Sequence, residues 1–208
     1  MESVHERPFL RWVARRWPDL ALDLARRVHV TVRIQGRVRH GEFDRARPQL
    51  RQAKWRQFRE RFGPLLPGVD FADFNDLESV ARAVTDQTCA ILVEPLQAEG
   101  GIHAATPKFL RGLRRLCDER GLLLVFDEIQ VGMGRTGWLW AHQYYQVEPD
   151  IMAVAKALGG GLPLGVTLMR EQVAQAIKPG DHASTFGANP VACAVGAVVL
   201  PLIILLGR

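Results

Sequence analysis

Ala155-Lys156-Ala157-Leu158-Gly159-Gly160-Gly161 sets a lysine at the end of an apolar run and follows it with three glycines. A lysine becomes a nucleophilic amine when burial and crowding disfavour its charged form. Three glycines let a backbone close around a bulky planar ligand without side-chain clashes. A Schiff-base lysine is the chemistry this pattern favours, with a phosphate-binding lysine as the alternative. A P-loop is excluded, because its lysine follows the glycines as GxxxxGK[ST]. Asp127 closes a second apolar run, Leu122-Leu-Leu-Val-Phe126, and opens Asp127-Glu-Ile-Gln130. Such a carboxylate could hold a metal, but no second carboxylate or histidine stands at metal-ligand spacing, so no metal is expected. It could instead pair with a cationic ring nitrogen.

Pyridoxal phosphate requires both parts: a lysine to bond its aldehyde and an acid to keep its pyridine nitrogen protonated. The protonated ring is then an electron sink for the carbanion left by Cα–H cleavage. Asp127 and Lys156 supply that pair.

The elements that must position them are legible around the runs. Asn75 or Asp76 caps a helix reaching about Val84. Cys89–Glu94 reads as a buried strand. Thr106 followed by Pro107 starts a helix, since proline at the first helical position forfeits no hydrogen bond. Leu110, Leu113 and Leu116 line one face of that helix as far as Gly121. Leu122–Phe126 and Ile151–Ala155 are further strands, ending on Asp127 and Lys156. Strand, helix, strand with unbroken apolar strands predicts an α/β fold, a mostly parallel sheet covered by helices on both faces. Ligands in such sheets bind beyond the carboxyl ends of the strands, where Glu94, Asp127 and Lys156 all stand.

The chain of 208 residues is 48% hydrophobic and 24% charged, which excludes collagen-like and wholly disordered classes. Three cysteines without a CxxC pair argue against a disulfide scaffold and for the cytoplasm. Met1 is followed by polar and charged residues, so no secretory signal is expected. Residues 1–62 hold 15 arginines and are strongly basic, while residues 63–208 are net acidic. A basic arm can bind nucleic acid, but its tryptophans, Trp12, Trp17 and Trp55, stand apart rather than forming a stacking platform, and a solvated face is favoured. Segment 9–27 has helical spacing interrupted by Pro18, and His29–Ile34 alternates like a strand. The apolar run Val191–Leu206 is shorter than the ~20 residues of a membrane span. Gly196 and Pro201 weaken it further as one straight helix, so a buried helix or an exposed sticky tail is expected rather than a membrane anchor.

Six ordered motifs carry a resemblance: Glu94-Pro-Leu-Gln-Ala-Glu99-Gly-Gly101, Phe126-Asp-Glu-Ile-Gln130, Gly132-Met-Gly-Arg-Thr-Gly137, Pro149-Asp-Ile151, the lysine–glycine run, and Ser184-Thr-Phe-Gly-Ala-Asn-Pro190. From about Phe62 to about Val198 the chain resembles the class III aminotransferases, pyridoxal-phosphate enzymes of fold type I, and most closely their acetylornithine and ornithine branch. The resemblance implies that Lys156 bonds the cofactor and shuttles a proton, and that Asp127 pairs with its ring nitrogen. It implies that Gln130 hydrogen-bonds the ring hydroxyl and that Thr185 reaches the phosphate in a neighbouring subunit, hence a homodimer. Glu99 matches a gate glutamate that releases a substrate-binding arginine. The implied reaction moves an amino group from N-acetylornithine, or a similar ω-amine donor, to 2-oxoglutarate.

Departures from the family pattern set further expectations. No Ser-Gly-Thr phosphate loop occurs, and the chain ends before the small domain that carries the carboxylate-binding arginine. Residues 1–61 are expected to be an Arg-rich segment foreign to the family, 62–198 the central part of the large domain, and 199–208 an apolar tail. A truncated or frameshifted gene product accounts for this division. Ala188 replaces a glycine, a minor change if its backbone angles suit alanine. The alternatives to an active enzyme are a catalytically incomplete chain of that ancestry and a basic nucleic-acid-binding module.

Overall fold

The computed structural model describes residues 70–98, 101–177, 184–185 and 187–206. The basic arm, the Pro18-interrupted segment and the His29–Ile34 run lie outside them.

Helix α1, Leu77–Ala83, begins where Asp76 accepts a hydrogen bond from the Ser79 N–H at 2.9 Å. Asn75 does a different job: its side chain accepts from Thr106 N at 2.8 Å and donates to Ala104 O at 3.1 Å. It thereby ties the start of α1 to the start of the next long helix. That helix, α2, spans Pro107–Arg120, with Thr106 Oγ1 accepting from Phe109 N and Gly121 closing it at φ 67°. The left-handed closing angle is one that glycine adopts without strain. Gly112 lets the two helices meet, since a Cβ there would come within 2.6 Å of Leu77 Cδ2.

Strands β1 (Ala90–Val93), β4 (Leu123–Asp127) and β5 (Ile151–Val154) are adjacent and parallel, in register Val93 with Phe126 and Asp127 with Ala153. Between β1 and α2 lies a small antiparallel pair, β2 (Leu96–Gln97) and β3 (His103–Ala104). The sheet is mixed and mostly parallel. Its edge strand β6, Val166–Met169, runs antiparallel to β5. Apolar content alone does not reveal that reversal, because both strand directions use the same residue types.

One face of the sheet is fully covered. Leu110, Leu113 and Cys117 of α2 pack with Ile91, Leu124, Phe126, Met152 and Val154, all 5% exposed or less. Leu116 sits at the rim of this stripe rather than in it. On the other face Leu92, Leu123, Val125, Ile151 and Ala153 are half-buried.

After the short helices α3 (Ala141–Tyr145) and α4 (Glu171–Ala174), the apolar run folds as one helix, α5, Pro190–Leu206, with Pro201 inside it, continuous across the position where the motifs end. Proline forfeits one helical hydrogen bond. Burial offsets that loss, for Leu200 and Pro201 are both buried. Gly196 has a packing role: a Cβ would meet Leu164 Cδ2 at 2.5 Å and Leu158 O at 3.2 Å. Among the described residues no helix is long and apolar enough to cross a membrane.

Candidate active site

The three adjacent parallel strands end on one rim. Glu94 follows β1, Asp127 ends β4, and Lys156 follows β5 by two residues, opening the 3₁₀ turn Lys156–Gly159. Neighbouring strands lie about 4.8 Å apart, so a single small ligand can span these positions. Asp127 is half-buried, and its Oδ1 accepts from Ile129 N at 3.1 Å. Gln130 carries a buried Oε1 without a hydrogen-bond partner among the described residues. A buried orphan of this kind costs free energy unless something else meets it.

Lys156 is exposed rather than crowded, which corrects the expectation of a desolvated amine in this chain. Its backbone is unusual. At φ 45° it occupies the left-handed region that L side chains disfavour. Strain of this kind is held only where surrounding structure over-determines it.

The glycines after the lysine also read differently in the fold. A Cβ on Gly160 would meet Val199 Cγ2 at 2.9 Å and Val195 Cγ1 at 3.1 Å, and one on Gly159 would meet Leu164 Cβ at 3.2 Å. Gly160 brings the lysine turn against α5, where its missing side chain makes room for protein, whereas Gly161 faces open space. Helix α5 thus supports the segment that carries Lys156.

Of the remaining expected residues, Thr185 is exposed in the bend before α5, and Glu99 lies outside the described residues. Pro149-Asp150-Ile151 is not at the rim at all. Asp150 stands at the amino end of β5, where it binds Arg114 and the Leu124 N–H. Ala188 has φ 59°, so the condition for a harmless glycine replacement fails. Left-handed geometry costs an L-residue roughly 1–2 kcal/mol. Ala188→Gly is therefore expected to stabilise the chain by about 1 kcal/mol after glycine's own entropy cost. Thermal unfolding checks this, and an unchanged or lowered midpoint would contradict it.

Motif reading passed over Glu128, the residue between the two expected cofactor contacts. It is fully buried, and its carboxylate accepts from Ala141 N at 2.6 Å and His142 N at 2.8 Å. These are first-turn N–H groups of helix α3, Ala141–Tyr145, which have no partner within their own helix. Burial pushes its pKa up from 4.5 to about 7, outweighing the two backbone hydrogen bonds that pull it down. The folded state therefore holds this proton more tightly than the unfolded chain does. The stabilisation is complete below about pH 4.5 and is lost as pH rises through about 7. Urea titrations between pH 4.5 and 7.5 should show that decline, and Glu128→Gln should flatten it. An unchanged slope in the variant would exclude Glu128 as its source. A charged residue beside Asp127 was visible in the sequence, but nothing in the sequence said that its side chain turns inward.

Comparison with known proteins follows the same geography. The family model described as "Aminotransferase class-III" matches residues 50–205, extending past both ends of the span marked by motifs. An acetylornithine aminotransferase of Methanocaldococcus jannaschii is 48% identical over 147 residues, covering 71% of this chain and 37% of that protein. A succinylornithine transaminase of Yersinia pseudotuberculosis is 52% identical over 147 residues, covering 71% and 36%. The crystal structure of an ornithine aminotransferase from Toxoplasma gondii superposes with TM-score 0.68 at 38% identity, covering 72% of this chain and 36% of that one. The chain spans little more than a third of the length of the curated relatives it matches.

Proposed function

Because the chain belongs to the class-III aminotransferases, we propose that it is a pyridoxal-phosphate enzyme that moves an amino group from N-acetylornithine, or a similar ω-amine donor, to 2-oxoglutarate. The observation that carries this reading is that Asp127 and Lys156 follow adjacent parallel strands on one rim. The residue chemistry suits the cofactor: a carboxylate at the end of β4, a buried amide whose oxygen has no partner among the described residues, and a primary amine.

Bound pyridoxal phosphate would supply the electron sink for breaking the C–H bond at the amino-bearing carbon of the substrate. In this reading Nζ of Lys156 anchors the cofactor and carries the proton removed from that carbon. The Asp127 carboxylate keeps a proton on the ring nitrogen, since a nearby negative charge favours the cationic form. The Gln130 amide would hydrogen-bond the ring hydroxyl. Thr185 is assigned to the phosphate of a neighbouring subunit and Glu99 to the substrate gate. The exposed apolar stripe of Val191, Val198, Leu202 and Leu205 along α5 supports a homodimer, because large apolar patches commonly mark interfaces. The absence of a disulfide framework in the sequence supports a cytoplasmic location.

A second reading, a chain that binds the cofactor but does not turn over, is favoured by the exposed position of Lys156. A titration with pyridoxal phosphate, followed by assay with N-acetylornithine and 2-oxoglutarate, separates the two. A saturable visible band with glutamate formed in the assay supports the enzyme. The band without glutamate supports the second reading, and no band above that of free cofactor overturns both.

A further inference from the structure

Glu128 is tied into the fold by four hydrogen bonds that converge on one short turn. Its backbone N–H donates to Ala153 O at 2.9 Å, carrying the β4–β5 ladder one residue past Asp127. Its backbone carbonyl accepts from Gly132 N at 2.9 Å. Its two carboxylate oxygens hold the first N–H groups of α3, thirteen and fourteen residues farther along the chain. Gly132 leaves no slack in this knot. A Cβ there would lie 2.9 Å from Glu128 O, 3.1 Å from Trp140 Cε3 and 3.3 Å from Glu128 Oε2.

The residues on either side are the ones assigned to the cofactor ring. Asp127 precedes Glu128 directly, and Gln130 lies within the turn closed by the Glu128–Gly132 bond. Keeping Gln130 Oε1 buried without a partner among the described residues needs a backbone that cannot relax to satisfy it. Resting on the function proposed above, we infer that Glu128 is a positioning residue: it clamps the Asp127–Gln130 turn to the start of α3 and so aims both ring contacts. It touches no reacting atom itself. Its effect passes through the turn, as supporting hydrogen bonds do in precise sites.

The test uses the full chain, pyridoxal phosphate as the probe, and Glu128→Gln beside Arg170→Ala. Gln is nearly isosteric but keeps a single acceptor oxygen for the two N–H groups. Arg170 lies at the opposite end of the sheet, pairing with Glu148 and Asp150, and serves as a control for simple destabilisation. Both variants are read at temperatures where each is fully folded. Glu128→Gln is expected to weaken cofactor affinity at least tenfold and to shift the pH midpoint of the visible band, while Arg170→Ala alters neither. Wild-type affinity and midpoint in Glu128→Gln would overturn the inference, as would the same changes in Arg170→Ala.

Hydrogen exchange on the unaltered chain gives a readout that needs no variant. Adding pyridoxal phosphate should slow exchange at the Ala141 and His142 amides several-fold, and unchanged rates there would overturn the clamp. If the unaltered chain binds no cofactor, the proposed function falls, and Glu128 is judged on exchange in Glu128→Gln alone. Faster exchange confined to residues 127–132 and 140–142 supports the clamp, and a uniform increase across the sheet overturns it.

Discussion

In a pyridoxal phosphate titration, Lys156→Ala is expected to remove the saturable visible band altogether, and Lys156→Gly to remove it while stabilising the chain. The first half follows from chemistry, because only an unprotonated primary amine can bond the cofactor's aldehyde. Lys156 is the lysine that stands at the rim shared with Asp127. The second half follows from the backbone. At φ 45° the lysine sits where an L-residue loses roughly 1–2 kcal/mol and glycine loses nothing sterically. Alanine keeps the strain and glycine relieves it, so the two variants should part by about 1 kcal/mol in unfolding free energy. A band of unaltered affinity in either variant would remove Lys156 from the site. Equal stability of the two would mean that the turn relaxes when the lysine is gone.

The second large effect belongs to the far end of the sheet. Asp150→Ala is expected to cost about 3 kcal/mol, in the range known for breaking a buried ion pair. Asp150 Oδ2 accepts from Arg114 Nη1 at 2.8 Å and from Leu124 N at 2.7 Å, and Arg170 Nη1 lies 3.5 Å from Oδ1. The Arg114 side chain is only 17% exposed. Burial alone would lower its pKa, but hydrogen bonds and charge from Asp150 and Asp118 hold it above its ordinary value. Without Asp150 the guanidinium keeps Asp118 at 2.8 Å but loses its buried partner, and the Leu124 N–H loses its acceptor. Asp150→Asn keeps an acceptor and should lose less. Urea unfolding at neutral pH measures both, and a loss below 1 kcal/mol for Asp150→Ala would show that the network adds little. The same motif that marks ancestry in the sequence is thus a structural joint, not part of the rim.

What could be read from the sequence was whatever depends on near neighbours. Asp76, the Thr106-Pro107 start and the Gly121 stop stand at the helix ends where capping chemistry puts them. The apolar runs became parallel strands, and Glu94, Asp127 and Lys156 came out at their carboxyl ends. Those features follow from local hydrogen bonding and from the burial of unbroken apolar segments.

Only the tertiary structure decided the rest, because each remaining feature depends on what lies across space. The glycines after Lys156 looked like a ligand cradle, yet at Gly160 Val195 and Val199 of a helix 35 and 39 residues away occupy the space a side chain would fill. Whether the apolar run would be a buried helix or an exposed tail was open in the sequence, and the packing of Gly196 on Leu158 and Leu164 gave it a buried side. Ala188 was harmless on paper and strained at φ 59° in the fold. Glu128 had no role assigned from the sequence, and the fold turned it inward onto two N–H groups thirteen and fourteen residues away. The sequence by itself determined which residues stand at the strand ends, because that follows from local pattern. Which of their neighbours hold them there was decided by packing, which no local pattern encodes.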